Sequence, residues 1–157
     1  MKLNASVPIK LATVKDAEEI ACMSRDYIEE GLGWSWNTQR VLRYIREPEV
    51  VVAVAKAERE LQGFAIMQFG EDNAHLNLLA VRTRYRRRGL GKRLLRWLEA
   101  TAITAGTFKI SLELRETNRS AHQFYQRLGY RPIKRIAGYY QGREAAIRMG
   151  RNVSVVS

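Results

Sequence analysis

The spacing of apolar and polar residues switches several times along the chain between the period of a strand and that of a helix. The segment 108–116, FKISLELRE, alternates apolar and polar residues, which is typical of a strand with one buried face. Between Leu90 and Ala102, apolar side chains recur at every fourth position, which predicts a helix over 89–104. Both element types are present, so we expect a mixed α/β fold.

The same patterns predict the order β-α-α-β-β-β-α-β-α-β-β. Strands are predicted at 8–13, 50–58, 61–70, 74–81 and 108–116, with two more in 130–150 around a turn near Gly142, and helices at 13–31, 37–47, 89–104 and 118–129. Asn37 and Asn118 are predicted to cap helix starts, whereas Gly31 and Gly129 are predicted to end helices. With no repeat or linker in the sequence, we expect one domain spanning 1–157.

The composition indicates a globular chain of ordinary type. Apolar residues make up 46% and charged residues 27% of the sequence, both close to average. No apolar run approaches the roughly 20 residues that a membrane span needs, and the first residues lack the apolar centre of a signal peptide. The single cysteine, Cys22, is compatible with a reducing compartment. We therefore expect a cytoplasmic protein with no membrane partner.

The formal net charge of +11 predicts anionic partners. Basic residues concentrate in 82–97, RTRYRRRGLGKRLLRW, which contains Gly89 and Gly91 at the predicted helix start. A plain basic helix or an RNA-binding stripe would avoid glycines there, and no regularly spaced aromatic residues accompany the charges. We therefore do not expect nucleic acid as a partner, although a basic RNA- or ribosome-binding module stays an alternative.

The segment from strand to helix has the form of a phosphate site. The first amides of a helix lack internal partners and carry partial positive charge, so they bind phosphate. Gly89 and Gly91 allow close backbone approach, and neighbouring arginines can make bidentate contacts. The spacing fits neither a P-loop, since Lys92 is followed by Arg93, nor a G-x-G-x-x-G fingerprint, since the third glycine is replaced by Leu94.

The segment 86–91, RRRGLG, has the form R-x-x-G-x-G and resembles the acetyl-CoA pyrophosphate loop of the GCN5-related N-acetyltransferase (GNAT) family. NLLAV at 77–81 is similar to that family's preceding strand, and LELRETNRSAHQFYQRLGY at 112–130 to its second cofactor motif. YYQGREAAIRM at 139–149 resembles the branch that acetylates the N-terminal alanine of a ribosomal protein. The resemblance covers Leu76 to Met149.

This resemblance implies a fold and a division of labour. The family has a mostly antiparallel central sheet of about six to seven strands, flanked by helices and splayed at its two central strands. The implied acetyl-CoA-binding half with its C-terminal hairpin is 74–150. The implied acceptor-side half is 1–73, and it shows no specific match.

By the same resemblance, acetyl-CoA is the cosubstrate, and no metal is expected because His75 and His122 lack partners at ligand spacing. Pantetheine is expected to pair with the backbone of Leu79 and Val81, and Asn118 to contact the cofactor or a water besides capping its helix. The implied cofactor-binding residues are Leu79, Ala80, Val81, Arg86, Arg87, Arg88, Gly89, Leu90, Gly91, Lys92, Asn118 and Tyr125.

Two catalytic residues are implied. Tyr125 is the expected proton donor to the leaving thiolate, with Phe124 in the core, although a core position for Tyr125 is the alternative. Glu113 is the expected base, and because it alternates with two leucines it points away from their core layer. A purely structural Glu113 paired with an arginine stays open. The alternative carboxylates are Glu116, Glu71 and Asp72.

The acceptor is an amine: a peptide N-terminus, a lysine, or a small amine, with a ribosomal or other protein as the candidate partner. The resemblance implies that Tyr139 and Tyr140 bind the substrate backbone. The GYY at 138–140 replaces an asparagine-containing version in the ribosomal-protein branch, which leaves the acceptor open. Trp36 is assigned to the substrate site, although Trp34 and Trp36 could equally close the core.

Overall fold

A computed structural model describes residues 7–153 of the chain. The strands are β1 (Ile9–Leu11), β2 (Val50–Ala57), β3 (Glu60–Phe69), β4 (Asn73–Val81), β5 (Lys109–Arg115), β6 (Arg131–Tyr140) and β7 (Glu144–Asn152). The helices are α1 (Ala17–Met23), α2 (Thr38–Arg46), α3 (Leu90–Thr104) and α4 (Arg119–Arg127). This is the order of elements that the sequence patterns predict.

All seven strands belong to one sheet, in the order β1-β2-β3-β4-β5-β7-β6. Every neighbouring pair is antiparallel except β4 and β5, which run parallel in the middle of the sheet. The expected mixed, mostly antiparallel sheet flanked by helices is thus confirmed.

Two hydrophobic cores cover the two faces of the sheet. One lies under α3 and α4 and contains Leu94, Leu98 and Tyr125, and we name this side of the sheet the α3–α4 face. The other lies under α1 and α2 and contains Ile20 and Val41, and this side is the α1–α2 face. The predicted apolar stripe of α3 is fully buried in the first core, which explains why that helix follows a strict four-residue repeat.

Local signals set most helix boundaries as predicted. Asn37 accepts a hydrogen bond from the amide of Arg40, and Asn118 accepts one from the amide of Ala121, so both residues cap their helices. Gly129, with φ of 96°, follows the end of α4.

The first helix differs from the prediction, because α1 ends at Met23 and continues as a wider π-helical turn, Ser24–Ile28. The reason is a buried carboxylate: Glu29 accepts hydrogen bonds from the hydroxyl of Ser24 and from the amides of Ser35 and Trp36. Those contacts hold the end of the helix and the following loop together, and no local pattern encodes them.

Across the described range, no helix is long and apolar enough to cross a membrane. The same residues contain no group of three or more His, Cys, Asp or Glu side chains that could hold a metal ion.

Candidate active site

The parallel strands β4 and β5 separate halfway along their length. Their pairing runs from Asn73 opposite Lys109 to Leu76 opposite Leu112, although β4 continues to Val81 and β5 to Arg115. Beyond the last pair, which we name the splay apex, the facing edges of the two strands are open. This is the splay that the family resemblance implies.

The open edge of β4 offers backbone groups at the predicted positions. The amide of Arg82 points toward β3, where it bonds the carbonyl of Gln62 at 2.9 Å. Backbone groups alternate in direction along a strand, so those of Leu79 and Val81 point the other way, into the splay. An extended ligand arm can therefore pair with Leu79 and with the amide of Val81 as an added strand, whereas the Val81 carbonyl already accepts a hydrogen bond from Arg86.

The loop before α3 presents a row of unpaired amides. Within the described residues, the amides of 87–92 have no hydrogen-bonding partner, and the first bonded one is that of Arg93, to the carbonyl of Gly89. Gly89 caps the helix with φ of 77°, and a methyl group added there would point into open space. Arg87 also has a positive φ, 64°. Successive amides in such a conformation form an anion-binding concavity.

Two residues of this loop contact the protein rather than open solvent. A methyl group on Gly91 would lie 3.2 Å from Cζ of Phe124, so this glycine lets α3 approach α4 closely. The Arg86 guanidinium donates to the carbonyl of Val81 at 2.9 Å and lies 5.3 Å from the ring centroid of Tyr27. The side chain of Arg86 is therefore committed to positioning the loop, whereas Arg87, Arg88 and Lys92 form no ion pair with any residue in 7–153.

Tyr125 lies on α4 at the α3–α4 face and is only 8% exposed. Its ring packs edge-on against Phe124 and Tyr130. Within residues 7–153 its hydroxyl has no protein hydrogen-bond partner, unlike the hydroxyl of Tyr130, which donates to Glu99 at 2.8 Å. Burial, and then the nearby Tyr140, raise the pKa of the Tyr125 phenol, so it stays protonated and able to donate.

Glu113 lies on the opposite, α1–α2 face, as the leucines on either side of it predict. Its carboxylate contacts His75 Nε2 at 2.6 Å, accepts from Arg148 Nε at 2.6 Å, and accepts from the Tyr139 hydroxyl at 3.2 Å. We name these four residues the Glu113 cluster. Burial would raise the pKa of Glu113, but the hydrogen bonds and charges of His75 and Arg148 lower it to about 2.

His75 is the residue of this cluster that sequence reasoning missed. Its sequence context suggests no role beyond that of a metal ligand, and no spacing rule links it to Glu113, which is 38 positions away. The parallel pairing of β4 with β5 brings the two together just before the splay apex. The side chain of His75 is 37% exposed, whereas that of Glu113 is 5% exposed, so the imidazole is the solvent-accessible part of the pair.

Beside this cluster, the loop between α1 and α2 and the tip of the β6–β7 hairpin meet over the α1–α2 face. The Gln141 side chain, at the tip of the β6–β7 hairpin, makes two hydrogen bonds of 3.0 Å with the backbone of Gly33 in the α1–α2 loop. Arg115 donates to the carbonyls of Ile28 and Glu30 at 3.0 and 2.6 Å. The loop and the hairpin are thereby tied together across the sheet face that carries Glu113.

The aromatic candidates divide between this surface and the core. Tyr139 is 43% exposed and Tyr140 packs edge-on against it, with ring centroids 4.9 Å apart. Trp36 is 8% exposed in the core of the α1–α2 face, with Arg40 stacked 3.9 Å from its centroid, so it closes that core and is not available to a substrate. Trp34 is 42% exposed and donates to the carbonyl of Ala21.

The other carboxylates lie away from the splay. Glu116 pairs with Arg135 at the exposed surface. Glu71 and Asp72 are exposed in the turn before β4, at the end of that strand opposite the splay. Glu113 is thus the carboxylate nearest the splay apex among the four candidates.

The sequence model of the acetyltransferase (GNAT) family matches residues 18–130. This match covers more than half of the chain and agrees with the splayed sheet and the amide-rich loop. The chain belongs to the GNAT family, and it is an N-acetyltransferase.

Individual relatives are similar over different shares of their length. An uncharacterized N-acetyltransferase of Methanocaldococcus jannaschii is 36% identical over 97 residues, which cover 61% of this chain and 62% of that protein, less than two thirds of it. The ribosomal protein bS18-alanine N-acetyltransferase of Salmonella typhimurium is 36% identical over 102 residues, or 63% of this chain and 69% of that enzyme. The crystal structure of the ribosomal-protein-S18-alanine N-acetyltransferase from Escherichia coli has a TM-score of 0.81 at 25% identity, over 96% of both chains.

Proposed function

We propose that this protein transfers the acetyl group of acetyl-CoA to the α-amine at the N-terminus of a protein. The observation that carries the proposal is the Glu113 cluster, in which a weakly basic carboxylate contacts the His75 imidazole at the splay apex, on the sheet face opposite Tyr125. The names of the Salmonella and Escherichia relatives, which act on the N-terminal alanine of a ribosomal protein, support the same acceptor class.

The acid–base chemistry favours an α-amine over a lysine. The attacking nitrogen must be neutral, and a protein α-amine has a pKa of about 7.7–8.0, against about 10.4 for lysine. Roughly a tenth of the α-amines are therefore already neutral at pH 7, whereas a lysine needs a strong base. A carboxylate whose pKa is about 2 is a poor base, so this cluster suits an acceptor that needs little help.

Acetyl-CoA is expected to bind from the α3–α4 face. The free amides of 87–92, with Arg87, Arg88 and Lys92, would hold its diphosphate. Its pantetheine arm would pair with Leu79 and Val81 and carry the thioester into the splay.

The chain's own residues then supply the chemistry. The amine nitrogen forms the new C–N bond while the C–S bond breaks, and His75 takes the proton that the nitrogen releases, with Glu113 orienting the imidazole. The Tyr125 hydroxyl donates a hydrogen bond to the departing sulfur. Tyr139 and Tyr140 line the approach of the acceptor backbone. A cytoplasmic site of action fits this reaction, because new protein N-termini and acetyl-CoA are both present there.

The test compares three acceptors by mass spectrometry: a peptide with a free N-terminus, the same peptide with a blocked N-terminus and an internal lysine, and a small-molecule amine. We expect acetylation of the free N-terminus only. Tyr125→Phe should slow turnover by about 10²-fold, the scale of a lost proton donor, without changing acetyl-CoA affinity. Tyr130→Phe, the same change on the neighbouring ring, is the control and should leave turnover intact.

Acetylation of the lysine or the small amine alone would contradict the proposed acceptor. Calorimetric titration at matched salt separates the other class of function: tight binding of RNA with none of acetyl-CoA would contradict an enzyme altogether.

A further inference from the structure

Asn77 carries a polar atom that the fold leaves without a partner. Within residues 7–153, its side-chain oxygen Oδ1 is the one buried side-chain nitrogen or oxygen that has no hydrogen-bond partner. Burying a carbonyl oxygen without a donor is unfavourable, and native proteins rarely keep one without a reason. A group that binds at this position during function is such a reason.

The location of Asn77 is the splay apex itself. In the pairing of β3 with β4, Ile66 lies opposite Leu78 and Met67 opposite Leu76, so Asn77 is the extra residue of a β-bulge. The pairing of β4 with β5 ends at Leu76, one residue earlier. Bulges re-aim side chains beside functional sites, and this one falls where the two central strands part.

The position of Asn77 relative to the Glu113 cluster follows from its neighbours and from the strand register. Leu76 packs into the core of the α3–α4 face and Leu78 into that of the α1–α2 face. His75, two residues before Asn77, reaches Glu113 on the α1–α2 face. Leu76 and Leu78 are two positions apart yet pack on opposite faces, so the bulge interrupts the alternation of the strand at Asn77. The register is what places Asn77 beside the Glu113 cluster: it follows Leu76, the last β4 residue paired with β5, and Glu113 follows Leu112, the partner of Leu76.

The chemistry of an amide oxygen suits an incoming amine. A neutral amine offers two N–H donors besides its lone pair, and an acceptor that holds one N–H fixes where the lone pair points. An amide oxygen does this without taking a proton, so it does not compete with His75 for that role. We propose that Oδ1 of Asn77 accepts a hydrogen bond from the acceptor amine and turns its lone pair toward the thioester carbon. This inference rests on the proposed transfer to an amine.

The experiment measures steady-state kinetics and acetyl-CoA affinity for three variants. Asn77→Leu removes the oxygen at similar volume, Asn77→Asp keeps an oxygen acceptor at the same place, and Asn73→Leu repeats the first change four residues earlier, at the exposed start of β4. Because Asn77→Leu removes an unpaired buried oxygen, its Tm should equal or exceed that of the wild type.

We expect Asn77→Leu to lower kcat/KM for the peptide amine by about tenfold or more, the usual effect of losing one positioning hydrogen bond, with the Kd of acetyl-CoA unchanged. Asn77→Asp should recover most of that loss, and Asn73→Leu should behave as the wild type. A KM effect confined to the amine is not expected of a residue that only supports the strand.

Three results would overturn the inference: full activity in Asn77→Leu, a loss matched by weaker acetyl-CoA binding or a lower Tm, or no recovery in Asn77→Asp. A wild type that acetylates no amine would instead overturn the proposed function, and the inference with it. If the wild type is active and Asn77→Leu is equally active, the inference about Asn77 fails but the proposed function stands.

Discussion

Glu113 is surrounded by groups that keep it ionised. His75 and Arg148 contact its two oxygens at 2.6 Å, and the carboxylate side chain is 5% exposed. Its folded-state pKa of about 2 lies below the ordinary value of 4.5. The carboxylate therefore stabilises the folded state fully above pH 4.5, and this contribution is lost as the pH falls from 4.5 toward 2.

Substituting Glu113→Gln should therefore make the free energy of unfolding depend less on pH in acid solution. The free energy of unfolding at pH 7 should fall by up to about 3.5 kcal/mol, because the folded-state pKa is about 2 against an ordinary 4.5 and each pKa unit corresponds to about 1.4 kcal/mol. Urea unfolding at several pH values between 7 and 3 measures this. Glu116→Gln is the matched control, because that carboxylate pairs with Arg135 at the exposed surface and should contribute little. Equal effects of the two substitutions would show that the contacts of Glu113 stabilise the fold no more than an exposed ion pair does.

Two glycines with positive φ flank helix α3, and only the first of them lies beside the proposed diphosphate site. Gly89 at its start and Gly106 just after its end have φ of 77° and 84°, and a methyl group on either would meet no atom within 4 Å. Both positions thus impose the same backbone requirement. Only Gly89 borders the free amides of 87–92.

Gly89→Ala and Gly106→Ala should consequently destabilise the fold alike, by about 1–2 kcal/mol each, because a side chain is strained at positive φ. Only Gly89→Ala should weaken acetyl-CoA binding, since its methyl group would stand where the diphosphate meets the amides. Thermal unfolding and calorimetric titration measure the two effects. Weakened binding in Gly106→Ala as well would attribute the loss to the helix as a whole rather than to the loop.

Only part of the protein's positive charge is available to bind a ligand. Several arginines are neutralised by nearby carboxylates, such as Arg82 by Glu19 and Arg96 by Glu99. Arg87 and Arg88 in the loop before α3, and Arg43 on α2, have no such ion pair within the described residues. The net charge of +11 should therefore attract an anionic cosubstrate, but only the arginines beside the loop should contact it.

Raising the salt concentration from about 0.05 M to about 0.5 M should raise the KM for acetyl-CoA, because screening shortens the reach of these charges. Arg88→Gln should reduce this salt dependence, whereas Arg43→Gln, on the helix of the α1–α2 face, should leave it nearly unchanged. Initial-rate measurements at several salt concentrations compare the three proteins. Equal slopes for both variants would assign the effect to net charge rather than to the loop.

Much of the architecture could be predicted from the chain because its signals are local. The periodic leucines of α3, the caps Asn37 and Asn118, and the glycines at the α3 start each act within a few residues. Such signals depend on neighbours along the chain, so they predict the order of elements and make the phosphate-type loop recognisable from the sequence. The family motifs could be recognised for the same reason, because they lie in one continuous stretch, Leu76 to Met149.

The acceptor side could not be predicted, because its contacts join residues that are far apart in sequence. Glu113 meets Arg148 and Tyr139 only through the pairing of β5, β7 and β6, across 35 and 26 positions. Trp36 is buried because α1 and α2 pack together over the sheet, although its sequence context fits an exposed pocket equally well. The unpaired oxygen of Asn77 depends on a one-residue bulge in strand register. Periodicity in the sequence thus specifies which elements form, whereas long-range register and packing specify which polar groups they bring together.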